Sequence, residues 1–345
     1  RDPTMSRGLG DVYKRQSPYS MKMRAVLRYR LIPHRWVLRN SKWDDLPTPP
    51  VPVIPVLAWP DGQGGYSDVM VDSSPQITQL ETEYTQRSII PNDQALAFID
   101  FLLEDFADEW ITKLMYHYRW AYEADIEKAG QLLPLDQNLQ LPKSMHTKAH
   151  DFIIERQIGR RAMVGSTDSN THILENSYKN TLDILEQHFQ SQDFLFGERP
   201  ARTDFALYGQ LKPLLWQDPT PMAIAVERAP RVMNWIQRVD DLSWWEVNGD
   251  EGWTAMESCA ETVVQLLEEA GRTYTPFIIA NNEALQSGSG EMICDIDGSE
   301  YRQAPFKYQG KCLQWLREAY NNLSPTDQTR VQEYLTGTGC ENLFK

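Results

Sequence analysis

Two short segments combine hydroxyl or carboxylate side chains with the signals of a helix start. The first is SPYS at residues 17–20, where Ser17 suits the N-cap position and Pro18 the first helical position. The second is DSS at residues 72–74, which suits the start of another helix. Backbone N–H groups at a helix start have no partner within the helix and favour negative charge. Both segments therefore indicate places where a small ligand could dock a carboxylate or another anionic group.

Charge is distributed unevenly along the 345-residue chain. It contains 34 Lys+Arg and 48 Asp+Glu, a net charge of −14, yet residues 17–50 alone carry +5. This basic segment is either a solvated helix face or a local field that favours a small anionic ligand. The acidic remainder excludes an extended phosphate-binding surface, so nucleic acid is not an expected partner. Mean hydropathy is −0.52, and no run of about 18 apolar residues predicts a membrane-spanning segment.

The elements that position the two segments resemble an α/β unit. Apolar residues at helical spacing predict a helix from Ser17 that ends before Pro33, with Lys22 on its polar face. Strands are expected at 35–38, 53–59 and 68–71, followed by a helix to about residue 84. Residues 1–16 lack periodicity and resemble translated sequencing-adaptor sequence, so they are interpreted as a non-native leader. The unit is therefore expected to lack its first strand.

Residues 91–248 show helical spacing throughout. One helix of about 30 residues begins near Pro91, with an apolar stripe centred on Trp110 and several carboxylates on its flanks. A polar connection is expected over 130–145, followed by further helices, one of them buried and rich in small residues around Gly209. Residues 249–345 form an extension, in which we expect helices near 252–270, 307–322 and 325–336. The extension also contains a hairpin turn at Asp297-Gly298 and a break at Pro276.

Cysteine spacing gives no metal site. All four cysteines lie in the last quarter of the chain, and no CxxC pair occurs, so neither a zinc site nor a redox dithiol is predicted. Few cysteines in a chain of this length favour free thiols in a reducing cytoplasm.

Several motifs together resemble the cytosolic glutathione S-transferase superfamily. They are SPYS at a helix start, IPVL followed by the capped helix start at residues 72–77, then FLFG, RP, DFALYGQL and APRV, in that order over residues 17 to about 243. The resemblance implies an α+β chain with three parts. A thioredoxin-like domain would span residues 17–88, an all-α domain residues 91–248, and a mostly helical extension residues 249–345.

The resemblance also implies a site for glutathione as co-substrate, without a metal. Ser73 and Asp72 would hold the γ-glutamyl carboxylate and amine, and Ile54 would bind the cysteinyl backbone because the bond before Pro55 is cis. Pro52 is a competing candidate for the cis bond.

Glutathione chemistry requires a thiolate, and a hydroxyl donor at a helix start stabilises that anion. Three hydroxyl groups lie where the family places this donor: Ser17 is the leading candidate, ahead of Ser20 and Tyr19, and capping alone is the alternative role of the two serines. Ser17 stands where thiol-reductase relatives carry a nucleophilic cysteine, which favours transfer, addition or isomerisation over disulfide reduction. We expect Tyr116, Arg119 and Trp120 to form a wall for the second substrate, although aromatic residues at such spacing are often plain core.

One family pattern is altered. Ala201 stands where a serine or threonine normally caps the helix that contains Asp204, so one of two reciprocal capping bonds is lost, at a cost of about 1 kcal/mol. The expected function is activation of the glutathione thiol for attack on a small electrophile, in a cytoplasmic homodimer. The alternative is a non-catalytic ligand-binding or scaffold protein with the same fold.

Overall fold

The computed structural model describes residues 9–13, 17–38, 41, 43–49 and 51–345. A thioredoxin-like domain precedes a helical domain and a mostly helical extension, as the sequence predicts. Within these ranges, no helix combines the length and the apolar character needed to cross a membrane.

The described residues of the first domain form a four-stranded sheet and two helices. Its elements, in chain order, are β1 (Leu9–Tyr13), α1 (Pro18–Tyr29), β2 (His34–Leu38), β3 (Val56–Pro60), β4 (Tyr66–Val71) and α2 (Ser73–Glu83). The strand order is β2-β1-β3-β4, with β1 parallel to β2 and antiparallel to β3, and β3 antiparallel to β4.

The expectation that the sheet lacks its first strand is wrong. β1 lies between β2 and β3, and Val12 is in register with Val37 on one side and Val56 on the other. Pairing between strands uses backbone N–H and C=O groups, so a segment without hydrophobic periodicity can still complete the sheet. The strand also covers the edge that β3 would otherwise expose. Residues 1–8 and 14–16 of the presumed leader lie outside the described residues.

The described part of the helical domain consists of one long helix and six further helices. The long helix is α3 (Gln94–Phe106), a π-helical turn (Ala107–Ile111) and α4 (Thr112–Ala121) without interruption. The other helices, apart from a short 3₁₀ turn (Ala162–Val164), are α5 (Glu123–Gln137), α6 (Lys143–Ile158), α7 (Thr171–His188), α8 (Arg202–Trp216), α9 (Pro219–Arg228) and α10 (Pro230–Val239). The polar connection expected over 130–145 is therefore shorter, because α5 continues through Pro134.

The extension contains four helices and one hairpin, which are α11 (Glu261–Arg272), α12 (Tyr274–Ser287), β5 (Met292–Ile296), β6 (Ser299–Gln303), α13 (Lys307–Asn321) and α14 (Pro325–Leu335), with short 3₁₀ turns at Met256–Ser258 and Cys340–Phe344. The hairpin turn is confirmed, because Asp297 and Gly298 both have positive φ. The expected helix at 252–270 begins only at Glu261. Pro276 does not break the chain, since it lies in the first turn of α12, where a proline is tolerated.

The extension shares its core with the helical domain. Phe98 in α3 contacts the rings of Tyr320 and Phe344, and Trp110 in the π turn contacts Phe277 in α12. All these contacts belong to one continuous cluster of buried and partly buried side chains that also includes half of the residues of α1. The extension is thus an integral layer of the fold and not an appended tail.

α1 and α8 make the most extensive contact between two helices in the described structure. Gly209 permits it: a Cβ atom there would lie 2.6 Å from the carbonyl oxygen of Pro18 and 3.1 Å from Cβ of Lys22. The absence of a side chain at this position therefore lets the first turn of α1 lie directly against the helical domain.

Gly209→Ala should lower the free energy of unfolding by about 1–3 kcal/mol, because α1 must move away from α8 to admit the methyl group. Urea denaturation measures the change. Gly290→Ala is the matched control, since no atom lies within 4 Å of a Cβ there, and it should change the free energy by no more than about 0.5 kcal/mol. Equal effects of the two substitutions would contradict the close-packing role.

Candidate functional site

The start of α1 presents three hydroxyl groups in different environments. Ser17 is the N-cap residue, its carbonyl accepts from the N–H of Met21 at 3.0 Å, and its half-buried side chain makes no capping hydrogen bond. Ser20 is fully buried, and its Oγ finds no hydrogen-bond partner among the described residues. Tyr19 donates its hydroxyl to the carbonyl oxygen of Asp108 at 2.8 Å. Of the three, only the Ser17 hydroxyl is partly exposed and without a hydrogen bond to the part of the chain that the structure describes.

The start of α2 is shaped by Asp72. This residue has φ of 78°, a region that non-glycine residues rarely adopt, and its Oδ1 accepts from the N–H of Ser74 at 3.3 Å. Ser73 is buried, 2% exposed. Backbone strain of this kind persists only where surrounding contacts enforce it, and it is concentrated at functional sites.

The predicted cis bond lies beside this helix start. The Ile54–Pro55 peptide is cis, which confirms the choice of Pro55 over Pro52. The buried side chain of Gln76 in α2 donates to the carbonyl oxygens of Pro55 at 3.1 Å and Met70 at 2.8 Å. Gln76 therefore fixes the start of β3 and the end of β4 against α2.

A buried lysine connects both helix starts to the long helix. Lys22 is fully buried, and its Nζ donates to Oε1 of Glu104 at 2.6 Å, to Oδ2 of Asp108 at 2.6 Å and to Oγ of Ser73 at 3.3 Å. Glu104 also accepts from the Ser74 hydroxyl at 3.0 Å. The ammonium group thus joins α1, α2 and the long helix at one point.

The placement of Lys22 and of the flanking carboxylates corrects the sequence prediction. Lys22 was expected on the polar face of α1, and the acidic residues of the long helix were expected beside its apolar stripe. In the structure Lys22 is buried, and so are the carboxylates Asp100, Glu104, Asp105, Asp108 and Glu109. Burial alone would lower the pKa of Lys22, but Asp108 and Glu104 outweigh it and raise the pKa above its usual range. The lysine is therefore fully charged at neutral pH.

Arg202 in α8 is a second cation of this cluster. Its guanidinium lies 3.2 Å from Oε2 of Glu104 and 3.4 Å from Oδ2 of Asp100. Asp100 also accepts from the N–H of Thr203 at 2.9 Å. The first turn of α8 is therefore held to α3 by Asp100 and by Glu104, and Glu104 also binds Lys22.

The last turn of α3 and the π-helical turn add further acidic groups. Burial raises the pKa of Asp105, Asp108 and Glu109 above the values of exposed carboxyl groups, and neighbouring carboxylates raise it further. The hydroxyl of Tyr274, from α12, donates to Asp105. The cluster holds more buried carboxyl groups than buried cations, which favours a proton on part of it at neutral pH.

One residue of the extension reaches the start of α2. The hydroxyl of Tyr308 in α13 donates to Oδ2 of Asp72 at 2.5 Å. Both oxygens of Asp72 are therefore engaged, one by Ser74 and one by Tyr308. Burial raises the pKa of Asp72, whereas the Tyr308 hydrogen bond and the charge of Lys22 lower it.

The described basic residues of the segment at 17–50 are largely paired within the protein. Arg24 and Arg28 contact Asp240 at 2.9 and 3.4 Å, and Arg30 and Lys22 bind Glu81 and the Glu104 cluster respectively. Lys22, Arg24 and Arg28 therefore attach α1 to the helical domain, whereas Arg30 joins α1 to α2 within the first domain. Two interpretations of this segment follow from the sequence alone, a solvated helix face and a local field that favours a small anionic ligand. The observed pairing differs from both.

The three residues expected at a second-substrate wall lie on one face of α4. Tyr116 is half-buried and donates to the carbonyl oxygen of Gln157 at 2.8 Å, and its ring lies 6.5 Å from that of Trp120. Arg119 is buried in an ion pair with Asp218 at 3.0 Å. Thr112 lies 3.4 Å from the Tyr19 hydroxyl, and Tyr116 follows Thr112 by four residues, so Tyr116 lies on the same helix face one turn further along.

The altered cap of α8 is as expected. Ala201 offers no side-chain acceptor, and the carboxylate of Asp204 accepts from the N–H groups of Ala201 at 2.8 Å and Leu195 at 3.1 Å. Burial raises the pKa of Asp204 to about 8, against the opposing effect of these two donors. Asp204 therefore joins the loop before α8 to its first turn through backbone N–H groups, without a side-chain acceptor at residue 201.

Lys22, Glu104, Arg202, Gln76 and Tyr308 were not singled out from the sequence. The spacing of Asp100, Glu104 and Asp108, four residues apart on an otherwise apolar helix, is the signal that could have identified a buried charged stripe. Tyr308 had no such signal, because 236 residues separate it from Asp72. Across the described ranges, no group of three His, Cys, Asp or Glu side chains is arranged to hold a metal ion.

Two family models match the chain: the glutathione S-transferase N-terminal domain over residues 12–88 and the glutathione S-transferase C-terminal domain over residues 154–238. No curated protein matches the sequence. Among solved structures, a GST-like protein from Pseudomonas syringae is 20% identical, with a TM-score of 0.38, over 67% of this chain and 66% of that chain. The chain thus spans just under two thirds of that protein's length.

A second solved structure is the glutathione S-transferase mrad2831_1084 from Methylobacterium radiotolerans, in complex with glutathione sulfonate. It is 16% identical, with a TM-score of 0.37, over 67% of this chain and 90% of that chain. Neither family model extends into residues 249–345.

Lys22→Met should lower the free energy of unfolding by about 3–5 kcal/mol, because it leaves Glu104 and Asp108 buried without their cation. Arg228→Met is the control, since its pair with Asp183 is largely exposed, with side chains 40% and 48% accessible. That change should cost no more than about 1 kcal/mol. Urea denaturation of both variants tests the difference, and a Lys22 effect as small as the control would contradict the role of the buried cluster.

Proposed function

The chain belongs to the glutathione S-transferase superfamily, and on that premise we propose that it activates the thiol of glutathione for attack on a small electrophile. The Ser17 hydroxyl would donate a hydrogen bond to the glutathione sulfur and stabilise the thiolate. The thiol proton leaves to solvent, and the sulfur electron pair forms a bond to the electrophilic carbon. A leaving group departs, or in an addition the adjacent atom takes a proton from water.

The observation that carries this proposal is the state of the Ser17 hydroxyl. It stands at the N-terminus of α1, partly exposed, and makes no capping hydrogen bond. A helix N-terminus favours an anion, and a hydroxyl donor there lowers the pKa of a bound thiol. The alternatives are weaker, since Tyr19 already donates to Asp108 and Ser20 is fully buried. Serine cannot form a mixed disulfide, so disulfide reduction is not proposed.

The remainder of glutathione would lie along the neighbouring helix and strand. We assign the γ-glutamyl group to Asp72 and Ser73, whose helix start favours a carboxylate, and the cysteinyl backbone to Ile54. Lys22 supports this assignment, because its ammonium lies 3.3 Å from Oγ of Ser73 and orients the hydroxyl that would contact the carboxylate. Tyr116, Arg119 and Trp120 would border the electrophile, with Tyr116 the most accessible of the three.

A second function, a non-catalytic ligand-binding or scaffold protein, is favoured by one specific observation. The Ser73 hydroxyl and the Asp72 carboxylate are both already bound by side chains of the chain itself, namely Lys22 and Tyr308. A site satisfied internally gains less from a ligand. Turnover of any electrophile that depends on Ser17 would exclude this alternative.

Ser17→Ala should raise the pKa of bound glutathione towards about 8.5, the value of a free thiol. It should also lower kcat/KM with an aryl halide by about 100-fold, as expected for loss of one donor to a developing anion. Ser17→Thr keeps the hydroxyl and should retain most activity. Ultraviolet titration of the thiolate and steady-state rates provide the measurements.

Tyr19→Phe and Ser20→Ala are the matched comparisons and should change kcat/KM by less than about fivefold. A larger loss in either variant than in Ser17→Ala would transfer the donor role to that residue. No glutathione binding at millimolar concentration would contradict the transferase proposal as a whole.

We also propose a homodimer in the cytoplasm. All four cysteines are free thiols, as expected in a reducing compartment. Light scattering at micromolar concentration should give about twice the 39.9 kDa mass of one chain. A mass of about 40 kDa under those conditions would contradict the dimer.

A further inference from the structure

We infer that the C-terminal extension completes the proposed glutathione site, with Tyr308 as a positioning residue that fixes the Asp72 carboxylate for the γ-glutamyl amine. The inference rests on the proposed function and extends it to a segment that neither family model covers. It makes the site a product of three parts of the chain: the start of α1, the start of α2 and the start of α13.

The central contact joins Tyr308 and Asp72. The tyrosine hydroxyl donates to Oδ2 at 2.5 Å, and the N–H of Ser74 occupies Oδ1 at 3.3 Å. A hydroxyl donating to a carboxylate makes a charge-assisted hydrogen bond, which is about twice as strong as a neutral one. With one donor on each oxygen, the carboxylate has a single defined orientation.

This arrangement leaves capacity for a ligand. An ionised carboxylate offers about four lone-pair positions, of which these two donors use two. A protonated amine can therefore bind Asp72 without displacing Tyr308. The donor also favours the ionised carboxylate, which an amine requires, against the burial that raises the pKa of Asp72.

Tyr308 is itself held rigidly. It is the second residue of α13, and the residue that caps this helix, Phe306, is fixed at both backbone groups by the buried side chain of Asn281, at 2.7 Å to its N–H and 3.1 Å to its carbonyl oxygen. The ring of Tyr308 lies edge-on to that of Trp315, with centroids 6.1 Å apart. The hydroxyl is thus placed by helix packing and not by a loose loop.

The contact has one other interpretation: the hydroxyl could instead compete with the ligand amine for Asp72 and block the site. The two roles predict opposite changes in affinity. Removal of the hydroxyl weakens glutathione binding if Tyr308 positions Asp72 and strengthens it if Tyr308 blocks the site.

Tyr308→Phe removes only the hydroxyl and should weaken glutathione binding about tenfold, measured by isothermal titration calorimetry on the full chain. KM for glutathione should rise by a similar factor, with kcat within about twofold, because Tyr308 does not touch the sulfur position at Ser17. Tyr320→Phe is the control. It lies in the same helix, stacked on Phe344, and should leave both values unchanged.

A double-mutant cycle assigns the effect to the contact. In an Asp72→Asn background, Tyr308→Phe should change glutathione affinity by less than about twofold, because the charged acceptor is already gone. Unchanged or tighter binding by Tyr308→Phe in the otherwise native chain would overturn the inference while leaving the transferase proposal intact. If the native chain binds no glutathione, the proposed function fails first and this inference falls with it.

Discussion

The buried ammonium group of Lys22 is the constraint on which the arrangement of the site depends. It contacts two carboxylates of the long helix and the hydroxyl of Ser73, and so fixes α1 and α2 relative to the helical domain. Removing a charge from water is costly, and the attraction of its partners offsets that cost only when the geometry is good. Three partners within 3.3 Å satisfy the three N–H donors of the group, so this position admits little adjustment.

The net charge of −14 is organised around this attachment. Basic residues of α1 pair with acidic residues of the helical domain, such as Arg24 with Asp240. Positive and negative charges that are far apart in the sequence are thus in contact at the interface between the two domains. Close packing reinforces the electrostatic contact, because Gly209 lets α8 approach the turn that carries Pro18 and Lys22. The first turn of α1, which presents the Ser17 hydroxyl, is therefore positioned by charge and by packing at once.

Much of the fold follows from local patterns. The helix start at Asp72, the hairpin at Asp297 and most helices were predicted, since capping residues, turn residues and helical spacing act over a few neighbours. The cis bond at Pro55 was instead implied by the resemblance to the family. The burial of Lys22 was not predicted, because its three partners are 51 to 86 residues away and a lysine among arginines on a helix is usually solvated. β1 was missed for a related reason, since its place in the sheet depends on backbone pairing with β2 and β3 and not on its own composition.

The extension changes how the site is bounded. A two-domain protein of this kind would leave the start of α2 facing the long helix alone, whereas here α13 adds a hydroxyl on Asp72 and α12 adds one on Asp105. Both tyrosines come from helices whose side chains share the core of the helical domain, so they cannot shift without disturbing that core. The acidic cluster of the π-helical turn is consequently enclosed between α1 and the extension.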